Sequence, residues 1–308
     1  MPQFTESKKV APPESGAPPA SADPPLLIHP LTESHGEQEV LAFLAERPVQ
    51  TVVMGSLIRD NGLESPFNRG RFYACRDQGG RLEGVALIGH ATFVEARTEA
   101  ALAAFAELAQ KEANAHMILG EQALVRRFWD YYAPAGQAPR QFCRELLFEQ
   151  RWPLAACEPA RGLRRATLDD LALIMPVHAA MACEQSGVNP LEKDPHGFRL
   201  RCARRVEHGR VWVLVEGGRL IFKADVAAET PECTYVEGVY VEPASRQQGH
   251  GLRCLSQLGW ELLRRSAAVS ALVNEQNLVA QALFMKAGYK LRGYWDTIFL
   301  ERRGAGEG

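Results

Sequence analysis

A short segment with two closely spaced glycines, residues 246–251, could bind a phosphate group. Its sequence, Arg-Gln-Gln-Gly-His-Gly, follows a strand-like run at residues 235–241 and precedes an amphipathic, helix-like run at residues 252–265. Glycine has no Cβ, so successive backbone N–H groups can converge on one anion. The start of a helix adds unpaired N–H donors and the positive end of the helix dipole. The pattern therefore predicts a phosphate-binding loop.

Two common phosphate-binding loops do not fit these residues. A Walker loop ends in Gly-Lys-Ser/Thr, and Gly251 is followed by Leu252 and Arg253 instead. A dinucleotide-binding loop needs a third glycine, which is missing here. A plain tight turn is the remaining alternative, so the interpretation depends on the segment that lies downstream in the chain.

A second pattern lies directly after the helix-like run. Residues 269–273 are typical of a short strand, and residues 274–277 (Asn-Glu-Gln-Asn) are typical of a helix start. Apolar residues then recur with helical spacing on one face, at Ala280, Leu283, Phe284 and Ala287. Gly288 suits the end of that helix, and a last strand is expected near residues 294–300.

The two segments resemble the two signatures of the GNAT superfamily of acyl-CoA N-acyltransferases. The first signature is Arg/Gln-x-x-Gly-x-Gly/Ala. The second, Asn-x-x-Ala-x-x-Leu-Tyr-x-Lys-x-Gly-Phe, corresponds to residues 277–289, with Phe284 at the Tyr position. The resemblance covers about residues 163–300. It implies an α/β fold with a mixed sheet, acetyl-CoA as co-substrate, and transfer of its acetyl group to a primary amine of a small molecule, peptide or protein.

The resemblance also implies where acyl-CoA binds. In this superfamily acyl-CoA inserts between two parallel strands that splay apart at a bulge, and its pyrophosphate lies on the glycine loop. The implied cofactor-binding residues are Val239, Tyr240, Val241, Arg246, Gln247, Gln248, Gly249, His250, Gly251, Leu252, Asn274, Asn277 and Phe284. Two of them also have plainer interpretations, because Asn277 could simply cap a helix and His250 could be a solvated loop residue.

Catalysis in the superfamily needs a base for the ammonium group of the acceptor and an acid for the departing thiolate. Glu237 is the candidate base, because it lies in the strand that leads into the expected bulge. The alternative is that Glu237 points outward or pairs with an arginine such as Arg264 or Arg265. Phe284 cannot donate a proton, so Tyr294 is the candidate acid, with Tyr289 or water as alternatives.

The acceptor amine is expected near the loop after the first helix of this domain and near the hairpin. Glu184 and Asp225 are the candidate carboxylates for a cationic acceptor. A solvent-exposed carboxylate at a helix end is the plainer interpretation of Glu184. No metal ion is expected, because the seven cysteines form no Cys-x-x-Cys pair.

Composition restricts the partners. The chain has 308 residues, 46% of them hydrophobic, and a net charge of −2. This charge gives no global basic surface for nucleic acid or an anionic membrane. The apolar runs are shorter than a membrane span, and no secretory signal pattern is visible, so a cytoplasmic protein is expected. The oligomeric state stays open, with a dimer as one alternative.

The chain is expected to contain two GNAT-like domains. A weak repeat, Gln-Gly-Gly-Arg-Leu at residues 78–82 and Glu-Gly-Gly-Arg-Leu at residues 216–220, suggests tandem copies, and the first copy lacks the phosphate loop. The expected segments are a disordered Pro-rich tail (1–25), a degenerate GNAT-like domain (26–150), a linker (151–161), an acyl-CoA-binding domain (162–303) and a flexible tail (304–308).

Two other functions remain as alternatives. The phenylalanine at position 284 favours a regulatory protein that binds acyl-CoA with little or no turnover. A donor other than CoA, as in GNAT-fold ligases that use aminoacyl-tRNA, is disfavoured because such proteins usually lack the pyrophosphate loop.

Overall fold

The computed structural model describes residues 26–33, 36–154 and 158–301. The predicted tails at residues 1–25 and 304–308 lie outside the described residues, as does part of the predicted linker at residues 155–157. Within the described ranges, no helix has both the length and the apolar character needed to cross a lipid bilayer.

The chain forms two compact units, one from Met1–Leu146 with Gly293–Gly308 and one from Leu147–Arg292. Two strands, β6 (Pro139–Gln150) and β12 (Lys290–Leu300), contribute residues to both units. The sequence-based domain limits stay a prediction; they assign the whole last strand to the second domain.

The first unit combines antiparallel strands with one parallel pair. Its strand order is β1-β2-β3-β4-β5-β12. The strands are β1 (Leu27–Pro30), β2 (Gly70–Arg76), β3 (Leu82–Gly89), β4 (Ala91–Ala96) and β5 (Met117–Glu121). The helices are α1 (Glu37–Ala45), α2 (Pro48–Asn61), α3 (Glu99–Ala109) and α4 (Gln122–Tyr132).

Small and aromatic side chains form the core of this unit. The alanines of α3 let the helix approach β3 and α4 closely, and Phe105 and Phe128 fill the space between them. The sequence patterns predict α3, α4 and the β2–β3 hairpin but miss α2. Pro48 explains the omission: it follows the end of α1, yet it also occupies the first turn of α2, where a missing N–H costs nothing.

The second unit contains the two GNAT-like signatures. Its strand order is β6-β11-β10-β9-β8-β7. The strands are β7 (Arg164–Arg165), β8 (Val211–Glu216), β9 (Arg219–Glu229), β10 (Thr234–Val241) and β11 (Val269–Asn274). The helices are α5 (Leu171–Ser186), α6 (Pro190–Lys193), α7 (Pro195–Glu207), α8 (His250–Leu263) and α9 (Leu278–Lys286).

The strands of the second unit are ordered by one tight turn and one change of direction. Gly217 and Gly218 join β8 to β9 with φ of +55° and +76°, the backbone conformation of a type I′ hairpin. β9 and β10 are antiparallel, whereas β10 and β11 are parallel and connected through α8. Helices α5 and α8 both pack against β9 and β10, the two strands that carry the site.

The start of α5 is fixed by a buried carboxylate. Asp170 accepts hydrogen bonds from the Thr167 N–H (2.8 Å) and from both terminal nitrogens of Arg164 (2.7 and 2.8 Å). The Arg164 guanidinium is the main cause that lowers the pKa of Asp170 to about 2. Thr167 and Asp170 together form a capping box, each side chain bonding to the backbone of the other.

Replacing Asp170 by Asn is expected to lower the free energy of unfolding by about 1–2 kcal/mol at neutral pH, because a charge-assisted pair is lost. The wild-type advantage should be complete above the unfolded pKa of about 3.9 and should disappear as the pH falls towards 2, since the folded carboxyl then takes up its proton. Urea unfolding of both proteins from about pH 7 to about pH 3 measures this. Asp169→Asn, at the exposed neighbour, is the matched control and should change little.

Candidate functional site

The two parallel strands of the second unit separate after a short paired segment. Thr234, Tyr235 and Val236 of β10 pair with residues 269–271 of β11, and no described pair joins the two strands beyond Val236. The separation begins where β10 bulges: Glu237 lies opposite Asp225 and Tyr240 opposite Lys223, so two residues of β10 face one residue of β9. The bulge leaves the backbone of residues 238–241 without a partner on the β11 side.

A buried ion pair lies directly under the bulge. Lys223 Nζ is 2.6 Å from Asp225 Oδ2 and donates a second hydrogen bond to the carbonyl oxygen of Gly238 at 3.0 Å. Both side chains are almost completely buried. Burial lowers the pKa of Lys223. Burial alone would raise the pKa of Asp225, but the Lys223 ammonium, His178 and Arg205 lower it to about 2. The neighbouring cations therefore favour the ionised form of Asp225 in spite of its burial.

The ion pair explains why residue 238 is glycine. Gly238 has φ of +60°, and a Cβ at this position would lie 2.7 Å from Asp225 Oδ2 and 2.9 Å from Lys223 Nζ. These atoms belong to buried, hydrogen-bonded groups that cannot move away easily. The bulge, its glycine and the ion pair consequently depend on one another.

His178 and Cys202 extend this cluster from α5 and α7. His178 Nε2 is 2.7 Å from Asp225 Oδ2, and His178 Nδ1 is 3.4 Å from Cys202 Sγ. A Cys–His–Asp set can serve nucleophilic catalysis. Here the thiol is only 2% exposed and burial raises its pKa, so Cys202 acts as a core residue. The sequence did not indicate His178 as a site residue, because a single histidine in a helix gives no signal of a partner 47 residues away.

Glu237 reaches the surface beside this cluster and pairs with Arg205, not with Arg264 or Arg265. Arg205 Nη1 donates to Glu237 Oε1 at 2.8 Å, and the glutamate is the main cause that raises the pKa of the Arg205 guanidinium. The side chains of Arg205 and Glu237 are 43% and 35% exposed, so both can meet a solute. Arg264 and Arg265, the partners considered from the sequence, pair with Glu261 and Glu229.

The glycine loop leads from the end of β10 into α8. Gln247 and Gly249 both have positive φ, +63° and +81°. The first helical hydrogen bond runs from Arg253 N–H to the Gly249 carbonyl oxygen at 3.1 Å. The amides of residues 248–252 precede it and are the N–H groups that a helix start leaves without internal acceptors. The loop therefore offers converging donors at the positive end of a helix dipole.

Side chains hold this loop in its conformation. Arg246 Nε donates to the carbonyl oxygen of Val241 at 3.2 Å, and Gln248 Nε2 donates to that of Ala244 at 3.1 Å. A Cβ at Gly251 would lie 3.1 Å from Cγ2 of Val241, so this glycine allows α8 to begin close to β10. The amide loop and the opened strand are thus joined by direct contacts.

The remaining predicted cofactor residues lie around the same end of the unit. Val239, Tyr240, Val241 and Leu252 are half-buried, and Asn274 is exposed at the end of β11. Asn277 caps α9, its side-chain oxygen accepting from the Ala280 N–H at 3.0 Å. The His250 side chain lines a cavity of about 460 Å³ together with Arg253 and Leu214.

Phe284, at the position of the signature tyrosine, is a core residue. It is 4% exposed, stacks on Phe148 at a centroid distance of 6.0 Å and contacts the edge of Tyr289 at 5.0 Å. Tyr289 is buried too, its hydroxyl has no hydrogen-bond partner among the described residues, and burial raises its pKa. Neither ring presents a hydroxyl group to solvent.

Three predicted catalytic or acceptor-binding residues, Asp225, Glu184 and Tyr294, lie in three different environments. Asp225 is 2% exposed and bonded to Lys223 and His178, so its carboxylate stabilises the bulge from within. Glu184 is exposed on α5. Tyr294 is 46% exposed and belongs to the segment of β12 that is part of the first unit.

The first unit has the same strand arrangement without the loop. Its parallel strands β4 and β5 pair only at Ala91 and Thr92. The following helix, α3, is capped by its own Thr98, whose hydroxyl accepts from the Ala101 N–H at 3.2 Å, and Glu99 follows at once. An anionic side chain and a filled cap make this helix start unsuitable for phosphate.

Arg47 contacts both parallel strands of the first unit. Its guanidinium donates to Glu95 of β4 at 3.0 Å and also to Glu121 of β5. Burial raises the pKa of Glu95 although Arg47 opposes this. In neither unit do the described residues include a group of three or more His, Cys, Asp or Glu side chains that could hold a metal ion.

Comparison with known proteins agrees with the fold of the chain. Residues 223–300 match the family model described as FR47-like protein, and no curated protein matches the chain. A tandem GNAT protein from the clavulanic acid biosynthesis pathway has a TM-score of 0.55 at 16% identity, with 92% of this chain and 100% of that chain covered.

Two further structures are similar in fold. A GCN5-related N-acetyltransferase from Sphaerobacter thermophilus has a TM-score of 0.55 at 14% identity, covering 93% of this chain and 99% of its own. A GNAT-family acetyltransferase from Colwellia psychrerythraea has a TM-score of 0.52 at 12% identity, covering 89% of this chain and 100% of its own. The predicted tandem GNAT-like fold with a mixed sheet is confirmed.

Replacing Gly238 by Ala is expected to destabilise the second unit by about 1–3 kcal/mol more than replacing Gly217 by Ala. Both glycines have positive φ, so both variants meet the backbone strain of a left-handed residue. Only the Cβ at position 238 collides with the ion pair, since nothing lies within 4 Å of a Cβ at position 217. Urea unfolding measures the difference, and equal losses for the two variants would contradict the coupling of bulge and ion pair.

Proposed function

Because the chain has the GNAT fold and residues 223–300 match the FR47-like model, we propose that it is an N-acetyltransferase. It transfers the acetyl group of acetyl-CoA to a primary amine by direct attack. The observation that carries the proposal is the combination of opened parallel strands, an amide loop at their end and a carboxylate at the bulge.

The opened strand and the loop have the donors and acceptors that acyl-CoA needs. The pantetheine amides can bond to the backbone of residues 239–241 on the side that has no pairing with β11, as the edge of a β-strand bonds to a neighbour. The pyrophosphate then contacts the amides of residues 248–252. The positive charge of Arg246 lies close by, because its Nε is bonded to the carbonyl oxygen of Val241. The acetyl group, at the other end of pantetheine, comes to the bulge next to Glu237.

Glu237 serves as the base in this proposal. The acceptor arrives as an ammonium ion, and its proton passes to the Glu237 carboxylate directly or through one water. The amine lone pair attacks the thioester carbonyl carbon, the C–N bond forms, and the C–S bond breaks. Arg205 keeps the Glu237 carboxylate oriented towards the bulge through the 2.8 Å bond.

The departing CoA thiolate needs a proton from a group other than position 284. Phe284 has no acidic group, and the Tyr289 hydroxyl is buried. Tyr294 or water stays the predicted donor. A thiol has a pKa near 8.5, so its thiolate is a tolerable leaving group at neutral pH even without a dedicated acid.

Phe284 also favours a second candidate function. Its ring is held in the core by Phe148 and Tyr289. Helix α9 contains no serine, threonine or tyrosine that could supply the missing hydroxyl group. A protein that binds acyl-CoA with weak or absent turnover, and that reports acyl-CoA levels to a partner, needs the loop and the opened strands but not the acid. Turnover decides between the two candidates.

Acetyl-CoA binding is tested by thermal unfolding with and without ligand. At a concentration about 100 times Kd, acetyl-CoA should stabilise the protein by about 2.7 kcal/mol. Arg246→Glu should remove most of this shift, because it brings a negative charge to the pyrophosphate. Arg264→Glu, at the far end of the same helix, makes the same change of charge and should keep the shift. Loss of the shift in both variants, or in neither, would contradict binding at the loop.

The role of Glu237 is tested by release of CoA thiol over a broad panel of primary amines. Glu237→Gln should lower turnover by about 10²–10⁴-fold, the usual loss for a general base, while the thermal shift with acetyl-CoA is retained. Glu242→Gln is the matched control, since Glu242 follows the same strand and also pairs with an arginine, Arg219. Full turnover by Glu237→Gln would exclude this base, and no turnover by the wild type together with a retained thermal shift would favour the regulatory candidate.

A further inference from the structure

The exposed pair of Arg205 and Glu237, next to the bulge, leaves hydrogen-bonding atoms of both charges available to a ligand. Arg205 uses Nη1 for Glu237, and among the residues that the structure describes neither its Nε nor its Nη2 has a hydrogen-bond acceptor. Glu237 uses Oε1, and its Oε2 is likewise without a donor in the described part of the chain. The two side chains are 43% and 35% exposed. A solute at this position therefore meets a free donor edge and a free carboxylate oxygen together.

The deeper charges of the cluster are already balanced. Lys223 and Asp225 neutralise each other in the interior, and His178 adds a further bond to the same carboxylate oxygen. One exposed guanidinium and one exposed carboxylate remain for a ligand, and they lie 2.8 Å apart at their closest atoms. An ammonium ion alone would find Glu237 but would also be repelled by Arg205, because like charges a few ångströms apart raise the energy.

A ligand that carries both charges avoids this repulsion. In an α-amino acid the amine nitrogen and a carboxylate oxygen are roughly 3 Å apart, since only N–Cα, Cα–C and C–O bonds join them. The 2.8 Å contact between Nη1 and Oε1 holds the two side chains next to each other, so the ammonium can lie on Oε2 of Glu237 while the carboxylate lies on the donor edge of Arg205. A planar guanidinium with two free donors is well suited to a carboxylate.

The helix that carries Arg205 is basic on its solvent side. Arg199, Arg201, Arg204 and Arg205 fall within one stretch of α7, while Phe198, Cys202 and Val206 form its buried face. Arg199 and Arg201 are exposed, although Arg201 is partly neutralised by Asp194 at 3.1 Å. A positive surface beside the pair attracts anionic solutes and disfavours polyamines.

We propose that the acceptor is an amino acid or a related molecule with a carboxylate next to its amine, and that Arg205 binds that carboxylate. This inference rests on the proposed N-acetyltransferase function and adds its acceptor class. The carboxylate on Arg205 directs the amine to Glu237, and therefore to the thioester at the bulge. Arg205 is a substrate-binding residue in this scheme and takes no proton.

The test uses the full chain, saturating acetyl-CoA and matched pairs of acceptors, each α-amino acid together with its α-carboxamide. The members of a pair share the side chain and the α-amino group and differ at the carboxyl end, where one has a carboxylate and the other a neutral carboxamide. Release of CoA thiol gives kcat/KM for each. We expect at least one amino acid to exceed its amide by about 10- to 100-fold, the range for a hydrogen-bonded charge pair.

Arg205→Met should lower kcat/KM for both acceptors, because Glu237 loses its orienting partner, and should lower it further for the amino acid, so that the ratio between amino acid and amide falls to about 1. Arg205→Lys retains the charge but loses the planar fork, so it should recover part of the preference and shows that the effect comes from binding rather than misfolding. Arg265→Met removes an arginine outside α7 that also pairs with a glutamate, Glu229, at 2.9 Å; it is the matched control and should keep the full preference. All variants should keep the thermal shift with acetyl-CoA.

The outcomes separate the two proposals. Amides as good as amino acids in the wild type, or an undiminished preference in Arg205→Met, would overturn the acceptor class and leave the N-acetyltransferase function standing. Binding of acetyl-CoA without turnover of either kind of acceptor would overturn both and favour the regulatory candidate. Absence of any thermal shift with acetyl-CoA would refute the proposed function at its first step, and the acceptor class with it.

Discussion

The buried pair of Lys223 and Asp225 is the interaction on which the candidate site depends. Transfer of two charges into the interior is costly, and the cost is offset only where each charge finds several partners. Lys223 bonds to Asp225 and to the backbone of Gly238, and Asp225 also bonds to His178. One of these partners is a backbone carbonyl of the bulge, so the same bonds that stabilise the charges fix the point where β10 leaves β11.

The two units show how much the loop adds to a common strand arrangement. Both contain a parallel pair that is joined over only a few residues. In the first unit Thr98 caps the following helix, and Arg47 binds carboxylates from both strands. In the second unit a glycine loop opens the helix and leaves amides available. The same architecture is therefore closed by side chains in one unit and left open in the other, in agreement with the predicted loss of the loop from the first copy.

Most of the fold could be predicted because its signals are local. Alternation, helix periodicity and turn glycines predict α4 and the β2–β3 hairpin within a few residues of their observed limits. Helix α2 was not predicted, because Pro48 follows the end of one helix and also suits the first turn of the next. Strand β4 was not predicted either. It follows β3 after a single residue, His90, so the two strands resemble one apolar run in the sequence.

The sequence by itself determined the two GNAT-like motifs, the tandem GNAT-like fold and the glycine loop, because each depends on residues close together in the chain. Only the tertiary structure decided the partners of the charged groups. His178, Arg205, Lys223 and Glu237 lie on four different elements, and a sequence contains no record of which side chains converge. The pairing of Glu237 with Arg205, and the burial of Asp225, follow from how α5 and α7 pack on the sheet. Burial and distance set the energy of a charge, and both exist only after folding.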